Sequence, residues 1–343
     1  MQNQSAQRAT NDTNNTAEDN PLNRLSDLLD ADMDKVNALI IQNMRSDVPL
    51  IPKLAQYLIS AGGKRIRPLL TLASTALFDG PMDKSYHLAA AVEFIHTATL
   101  LHDDVVDESF ERRGKKTANL VFGNQASVLV GDFLFSKSFQ MMVESGSLDI
   151  LRILSSASAV IAQGEVLQLA ATNDIETDMP TYLHIIESKT AALFAASCEV
   201  GAVLSDQDEN TVTAMRTYGT KLGTAFQIID DALDYAADQE KLGKEIGDDF
   251  KEGKMTAPVI FALENASEEE RIFWKRTLGY KKQEDTDFDH AMEIITSHNA
   301  LDKTIALAKK YADDATKALS ALPNSQVKTL LCDLTGYTIT RSF

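Results

Sequence analysis

"LLHDDVVDES" (residues 100–109) and "FQIIDDALDY" (residues 226–235) each carry an apolar, helix-periodic run into a knot of aspartates. Asp103 and Asp107 are four residues apart, as are Asp230 and Asp234, so each pair projects from one helix face. Asp104 and Asp231 flank them. Like charges at this spacing destabilise a helix, and at a C-terminal end they also oppose its dipole. One such knot is more often a solvated helix end than a site. Two copies, each closing an apolar helix, imply something positive between them. Carboxylates as the dominant ligands suit a hard divalent cation. So few of them leave room for water and phosphate, which favours Mg2+ over Ca2+. His102 is assigned to packing or to support of the metal ligands.

Outward from these knots the pattern is helical almost everywhere from residue 21, with apolar residues at three- and four-residue spacings and no alternating strand runs. Leu88, Ala91, Val92, Ile95, Ala98 and Thr99 form the stripe that leads into the first knot. Residues 181–204 read as one long, very apolar helix after Pro180, a favourable first-turn residue. The expected fold is all-α: a single large domain over residues 21–343, with residues 1–20 a disordered tail rich in Asn and Thr. No stretch is expected to span a membrane, and the N-terminus lacks the apolar core of a signal peptide. A net charge of −17 argues against nucleic acid and anionic membrane surfaces as bulk partners. Cys198 and Cys332 sit in apolar helical context and read as reduced thiols of a cytoplasmic protein.

The basic residues gather in loops at 61–68, 110–119 and 236–258, beside the acidic helix ends. Lys64 and Arg67 lie in "GGKRIRP", Arg112 and Arg113 follow the first knot, and Lys244 and Lys254 follow the second. Such forks and point charges hold phosphate. Arg65, Lys115, Lys116, Lys241 and Lys251 are read as solvated surface cations. Lys189 interrupts an apolar helix and is expected to face an internal anion, and His96 shares a helix face with Asp103 two turns away. Metal plus basic side chains is what a diphosphate site requires. Two trianionic diphosphates about 6 Å apart repel by on the order of 25 kcal/mol at an effective dielectric near 20, more than a few lysines offset.

"GGKRIRP", "FIHTATLLHDDVVDES…RRGKKTAN", "GDFLF", "GEVLQL", "SKTAALF", "GTAFQIIDDALDY" and "LGKEIGDDFKEGKMTAPVI" occur here in one order and spacing. In this the chain resembles the trans-polyprenyl diphosphate synthases, most closely the bacterial octaprenyl group, over residues 22–343. The resemblance implies a helical bundle of the isoprenoid synthase type around a central cavity, usually as a homodimer. It implies that Asp103, Asp104, Asp107, Asp230, Asp231 and Asp234 bind Mg2+ bridging an allylic diphosphate, with farnesyl diphosphate the expected primer. Arg112, Lys189 and Lys244 would contact that diphosphate. Lys64, Arg67, His96 and Arg113 would take isopentenyl diphosphate. Thr190 and Gln227 would turn dipoles toward the developing cation, and Asp248 and Lys254 would belong to a closing loop.

Each added isoprene buries five carbons, worth roughly 3–4 kcal/mol, so affinity does not stop elongation and a physical floor must. In the resembling family, bulky aromatics four and five residues before the first aspartate mark short-chain enzymes. Here those positions are Thr99 and Ala98, both small. A product of eight or nine isoprene units for a ubiquinone side chain is therefore expected. Phe135, Phe139 and Met142 on one helix face are the candidate lower wall. Alternatives are a shorter-chain, geranylgeranyl-type synthase, a non-catalytic partner subunit, and a terpene cyclase, which generally lacks the second motif and "GGKRIRP".

Overall fold

The computed structural model describes residues 20–60, 62–112, 114–235 and 247–340. Residues 1–19 of the expected tail therefore lie outside the described residues, as do Arg113, Lys241 and Lys244, while Asn20 belongs to the first helix as its cap. Helix starts follow local chemistry. Asn20 caps α1 (Pro21–Leu28) by accepting from the Asn23 amide, with Pro21 at the first turn. α2 (Asp30–Asn43), α3 (Leu50–Ser60) and α4 (Ile66–Ala76) lead to the 25-residue α5 (Met82–Val106). A two-residue hairpin, β1 (Glu111–Arg112) with β2 (Lys115–Lys116), then precedes α6 (Ala118–Phe122), α7 (Asn124–Glu144) and α8 (Leu148–Ala171). The basic stretch 110–119, read as a loop, thus turns back on itself as a ribbon.

Asp178 caps α9 (Met179–Ile186) through the Thr181 amide at 2.9 Å. The long apolar helix expected here is not uniform: Glu187–Ala191 form a π turn before α10 (Ala192–Leu204). From this turn Lys189 reaches Glu165 of α8 and the buried Thr190 reaches Gln227, and such distortions are common at functional positions. Two glycines let neighbouring helices press on this turn. A Cβ on Gly164 of α8 would stand 2.8 Å from the Lys189 amide nitrogen. One on Gly223 would stand 2.7 Å from the Ala191 Cα. Gly223 lies on α11 (Glu209–Leu233), which Asp208 caps through the Thr211 amide.

α12 (Asp248–Glu252), α13 (Ala257–Leu263), α14 (Glu268–Trp274), a second π turn (Lys275–Gly279), α15 (Asp287–Ser297), α16 (Ala300–Ala318) and α17 (Gln326–Thr340) complete the bundle. α10 is buried at every residue from Leu193 to Ala202, as expected of a helix that is apolar all round. It packs on α4, α8 and α11, while α5 packs on α4 and α7. The larger apolar core surrounds these helices. A second core, with Tyr235, Phe250 and Trp274, lies beneath the end of α11.

Contrary to the expectation of no spanning segment, α8 is long and apolar enough to cross a membrane by length and composition. Its inner face carries Ile150, Leu154, Ala157, Ile161 and Gly164 against α10 and the π turn. Its outer face leaves Leu148, Val166 and Leu169 exposed, beside Leu129 and Val143 of α7.

Candidate active site

Both motifs end their helices in the same way. Asp103 and Asp104 lie in the last turn of α5 with Asp107 as its C-cap, and Asp230 and Asp231 lie in the last turn of α11 with Asp234 as its C-cap. In both, the middle aspartate is the buried one, Asp104 at 3% and Asp231 at 5% exposure. Asp104 Oδ1 accepts from Arg112 Nε at 2.8 Å and Nη2 at 2.7 Å, which ties the hairpin to the helix end. Asp231 accepts from the Tyr182 hydroxyl at 2.5 Å and from Gln227 Nε2 at 2.8 Å.

The π turn joins the two motifs. Lys189 Nζ reaches Glu165 at 2.7 Å and Asp103 at 4.0 Å. Its neighbour Thr190 donates from its hydroxyl to Gln227 Oε1 at 2.8 Å, and Gln227 in turn donates to Asp231. Adjacent residues of one turn thus touch the first motif and, through one amide, the second. The two acidic helix ends converge.

Burial dominates the electrostatics. It pushes the Asp103 carboxyl up to about 7, against the opposing pull of Lys189. It raises Asp231 to about 6, although the bonds from Tyr182 and Gln227 favour the ionised form. Asp234 is raised by burial while accepting from the Asp248 and Asp249 amides at 3.3 and 2.9 Å. Asp249 is raised well above its ordinary value, first by burial and then by Asp231 and Asp234. Burial alone would lower Lys254, but Asp249 and Glu252 outweigh it and hold the ammonium above its usual range. Asp107 adds to that effect, so Lys254 stands within the field of both motifs.

Sequence reading missed Glu165, Tyr182 and Asp249. Of the two residues expected in the closing loop, Asp248 is 55% exposed and pairs with Lys251, whereas Lys254 is faced by Asp249 at 3.8 Å. The signal was the doubled aspartate after Gly247, only one of which a short helix can turn inward. Arg65, read as a solvated cation, is instead 21% exposed and bound to Glu93. Lys115, Lys116 and Lys251 are exposed as expected. His102 packs on α7, with Nε2 3.2 Å from the Val128 carbonyl.

Arg67 Nη1 lies 3.2 Å from His96 Nε2, which joins two of the expected diphosphate ligands. Lys64 is exposed and borders a small cavity with Phe194, Phe226 and Tyr337. A second, larger cleft runs along α5 between His96 and Arg112, with Arg65, Glu93 and Lys116 among its polar lining. Ala98 is buried and Thr99 half-buried on the helix turn before Asp103. Phe135 and Phe139 meet edge to face at 5.3 Å, partly buried, while Met142 is fully buried. Cys198 is buried, its thiol pushed up to about 12 by burial, and no disulfide joins it to Cys332.

Among the described residues no three His, Cys, Asp or Glu side chains form a ready-made metal cage. The donors at the converging ends are nevertheless all carboxylate oxygens, and burial raises those of Asp103, Asp231 and Asp234 above the usual carboxylate range. Carboxylate oxygens of this kind fit a hard cation that keeps water or phosphate oxygens in its shell.

An all-helical enzyme with two converging aspartate-bearing helix ends is the class that fold and site define. Residues 48–295 match the polyprenyl synthetase family model. The chain is 43% identical to octaprenyl diphosphate synthase of Haemophilus influenzae, covering 94% of this chain and 98% of that protein. It resembles the structure of a decaprenyl diphosphate synthase from Rhodobacter capsulatus with TM-score 0.90 at 50% identity, covering 93% of this chain and 99% of that one. A polyprenyl synthase from Caulobacter crescentus complexed with calcium and isoprenyl diphosphate matches equally well, with TM-score 0.90 at 50% identity over 93% and 98% of the two chains. This chain belongs to the polyprenyl synthetase family and is a prenyltransferase.

Proposed function

We propose that the chain condenses isopentenyl diphosphate onto an allylic diphosphate, with farnesyl diphosphate as primer, to make a trans-polyprenyl diphosphate of about eight or nine isoprene units. The observation that carries this is the convergence of the two motifs through Lys189, Thr190 and Gln227. Magnesium held by Asp103, Asp107, Asp230 and Asp234 would neutralise the allylic diphosphate and make it a better leaving group. Asp104 and Asp231 serve as anchors, one holding Arg112 and the other locking Gln227 and Tyr182.

Lys189, Lys254 and Arg112, with Lys244, add positive charge around the departing diphosphate, so the allylic C–O bond ionises. Thr190 and Gln227, fixed by their mutual hydrogen bond, turn dipoles toward the carbocation. Lys64, Arg67, His96 and Arg113 hold the isopentenyl diphosphate, whose double bond attacks the cation. A proton then leaves, with the departed diphosphate as base. Tyr182, Asp231 and the core beneath α11 keep water from the cation.

The exposed apolar residues of α7 and α8, with Leu129 at 66%, Val166 at 68% and Leu169 at 65%, fit a second copy of the chain as a homodimer rather than a bilayer, because α8 also carries the charged Glu165 to Lys189 in the site. Two free cysteines accord with a cytoplasmic setting.

The test is incubation of the purified protein with farnesyl and isopentenyl diphosphates and Mg2+, reading product length by mass spectrometry. Products of about forty carbons or more are expected from the unobstructed turn at Ala98 and Thr99. Replacing Ala98 with Tyr or Thr99 with Phe should shorten the product toward about twenty carbons, since an added ring closes the path below Asp103. Unchanged length in both variants contradicts that placement of the product chain.

A further inference from the structure

The start of α4 and the residue before it are fastened to α5 at two points. Arg67 meets His96 at 3.2 Å, with its guanidinium 4.6 Å from the centre of the Phe194 ring. Two residues earlier, Arg65 Nη1 donates to Glu93 Oε1 at 3.2 Å, the two side chains 21% and 16% exposed. Arg65 precedes α4 in the left-handed region, φ 44° and ψ 41°, without a side-chain cap. A long side chain persists there only when its surroundings hold it. Glu93 is the group placed to do so. It lies on the helix that bears Asp103, and with Arg65, Gly62, Gly63 and His96 it borders the cleft along α5.

We propose that Arg65 and Glu93 form a positioning pair that sets the "GGKRIRP" loop for isopentenyl diphosphate; the assignment rests on the function proposed above. The pair itself touches no substrate. It fixes the backbone from which Lys64 and Arg67 leave, and it ties that backbone to the helix of the first motif. Without it the loop relaxes to ordinary backbone angles, and the incoming diphosphate must reorder it on binding. The loss then falls on isopentenyl diphosphate binding, because the allylic side is built on α5, α8, the π turn and α11.

Steady-state kinetics in each substrate test this in Glu93→Gln, Arg65→Ala, Arg65→Gly and the exchanged pair Arg65→Glu with Glu93→Arg. Glu93→Gln should raise the isopentenyl diphosphate KM by about tenfold and move the allylic KM by less than about twofold. The exchanged pair should recover much of that loss. Arg65→Gly keeps access to the left-handed backbone but loses the side chain, so it should be as impaired as Arg65→Ala. A glycine variant with the parent KM, or equal rises in both KM values across the set, would overturn the pairing. Failure of the parent protein to condense the two substrates would instead refute the proposed reaction, which separates the two outcomes.

Discussion

The two aspartate motifs share their spacing and their place at a helix C-terminus, yet they are held by different chemistry. The middle aspartate of the first is anchored by a cation, Arg112, and Asp103 stands near a second, Lys189. The middle aspartate of the second is anchored by neutral donors, Tyr182 and Gln227, and Asp234 by backbone amides. The second end gathers a further carboxylate, Asp249, around Lys254. One end is thus partly neutralised by ion pairs, while the other is hydrogen-bonded but still accumulates negative charge. Motif spacing specifies where carboxylates project. Their surroundings decide which of them anchor and which receive a ligand.

The largest expected effect comes from the outer aspartates. Asp103→Ala and Asp230→Ala should each lower kcat on the order of a thousandfold, because each removes a ligand of the metal that would neutralise the leaving diphosphate. A much smaller loss at one end would show that the two motifs do not act together. Next come the anchors. Arg112→Gln leaves Asp104 buried without its counter-ion and should cost on the order of 2 kcal/mol of stability besides activity. Tyr182→Phe removes one neutral bond and should cost about 1 kcal/mol, with activity falling by roughly tenfold. Equal destabilisation in denaturant melts would erase the distinction drawn between the anchors.

The smallest effect is on stability against pH. Asp103 rises from 3.8 to about 7 on folding, so the folded chain binds this proton more tightly than the unfolded chain does. The stability it contributes is complete below the unfolded value and is lost as pH rises toward about 7. Metal-free protein should therefore lose stability across that interval. Asp103→Asn should flatten the dependence and raise Tm by a few degrees at pH 8. A melting profile identical to the parent's would show that burial does not strain this carboxyl.

Much of the fold was legible because helix periodicity and capping act locally. Pro180 in the first turn of α9, the stripe on α5 and the apolar run of α10 all follow from neighbours a few residues apart. The π turn was not legible, since Gly164 and Gly223 press on it from helices distant in sequence. The aspartates and Lys189 were found from their unfavourable company, charges on apolar helices. Tyr182 and Glu165 looked like ordinary helix residues, and only the three-dimensional approach of α8, α9 and α11 gives them partners. Arg65 was misread for the same reason: its acidic partner is 28 residues away. The outer face of α8 shows a limit of another kind, because length and apolarity alone do not distinguish a bilayer from a second copy of the chain.

Binding of an unreactive allylic analogue, farnesyl thiolodiphosphate, to the parent, Asp103→Asn, Asp230→Asn and the double variant, with and without Mg2+, tests the joint site most directly. If both ends grip one metal–diphosphate unit, Mg2+ should tighten binding by at least about a hundredfold in the parent. Each single variant should lose most of that gain, and the double variant little more. Metal-independent binding, or losses that simply add, would contradict a shared site.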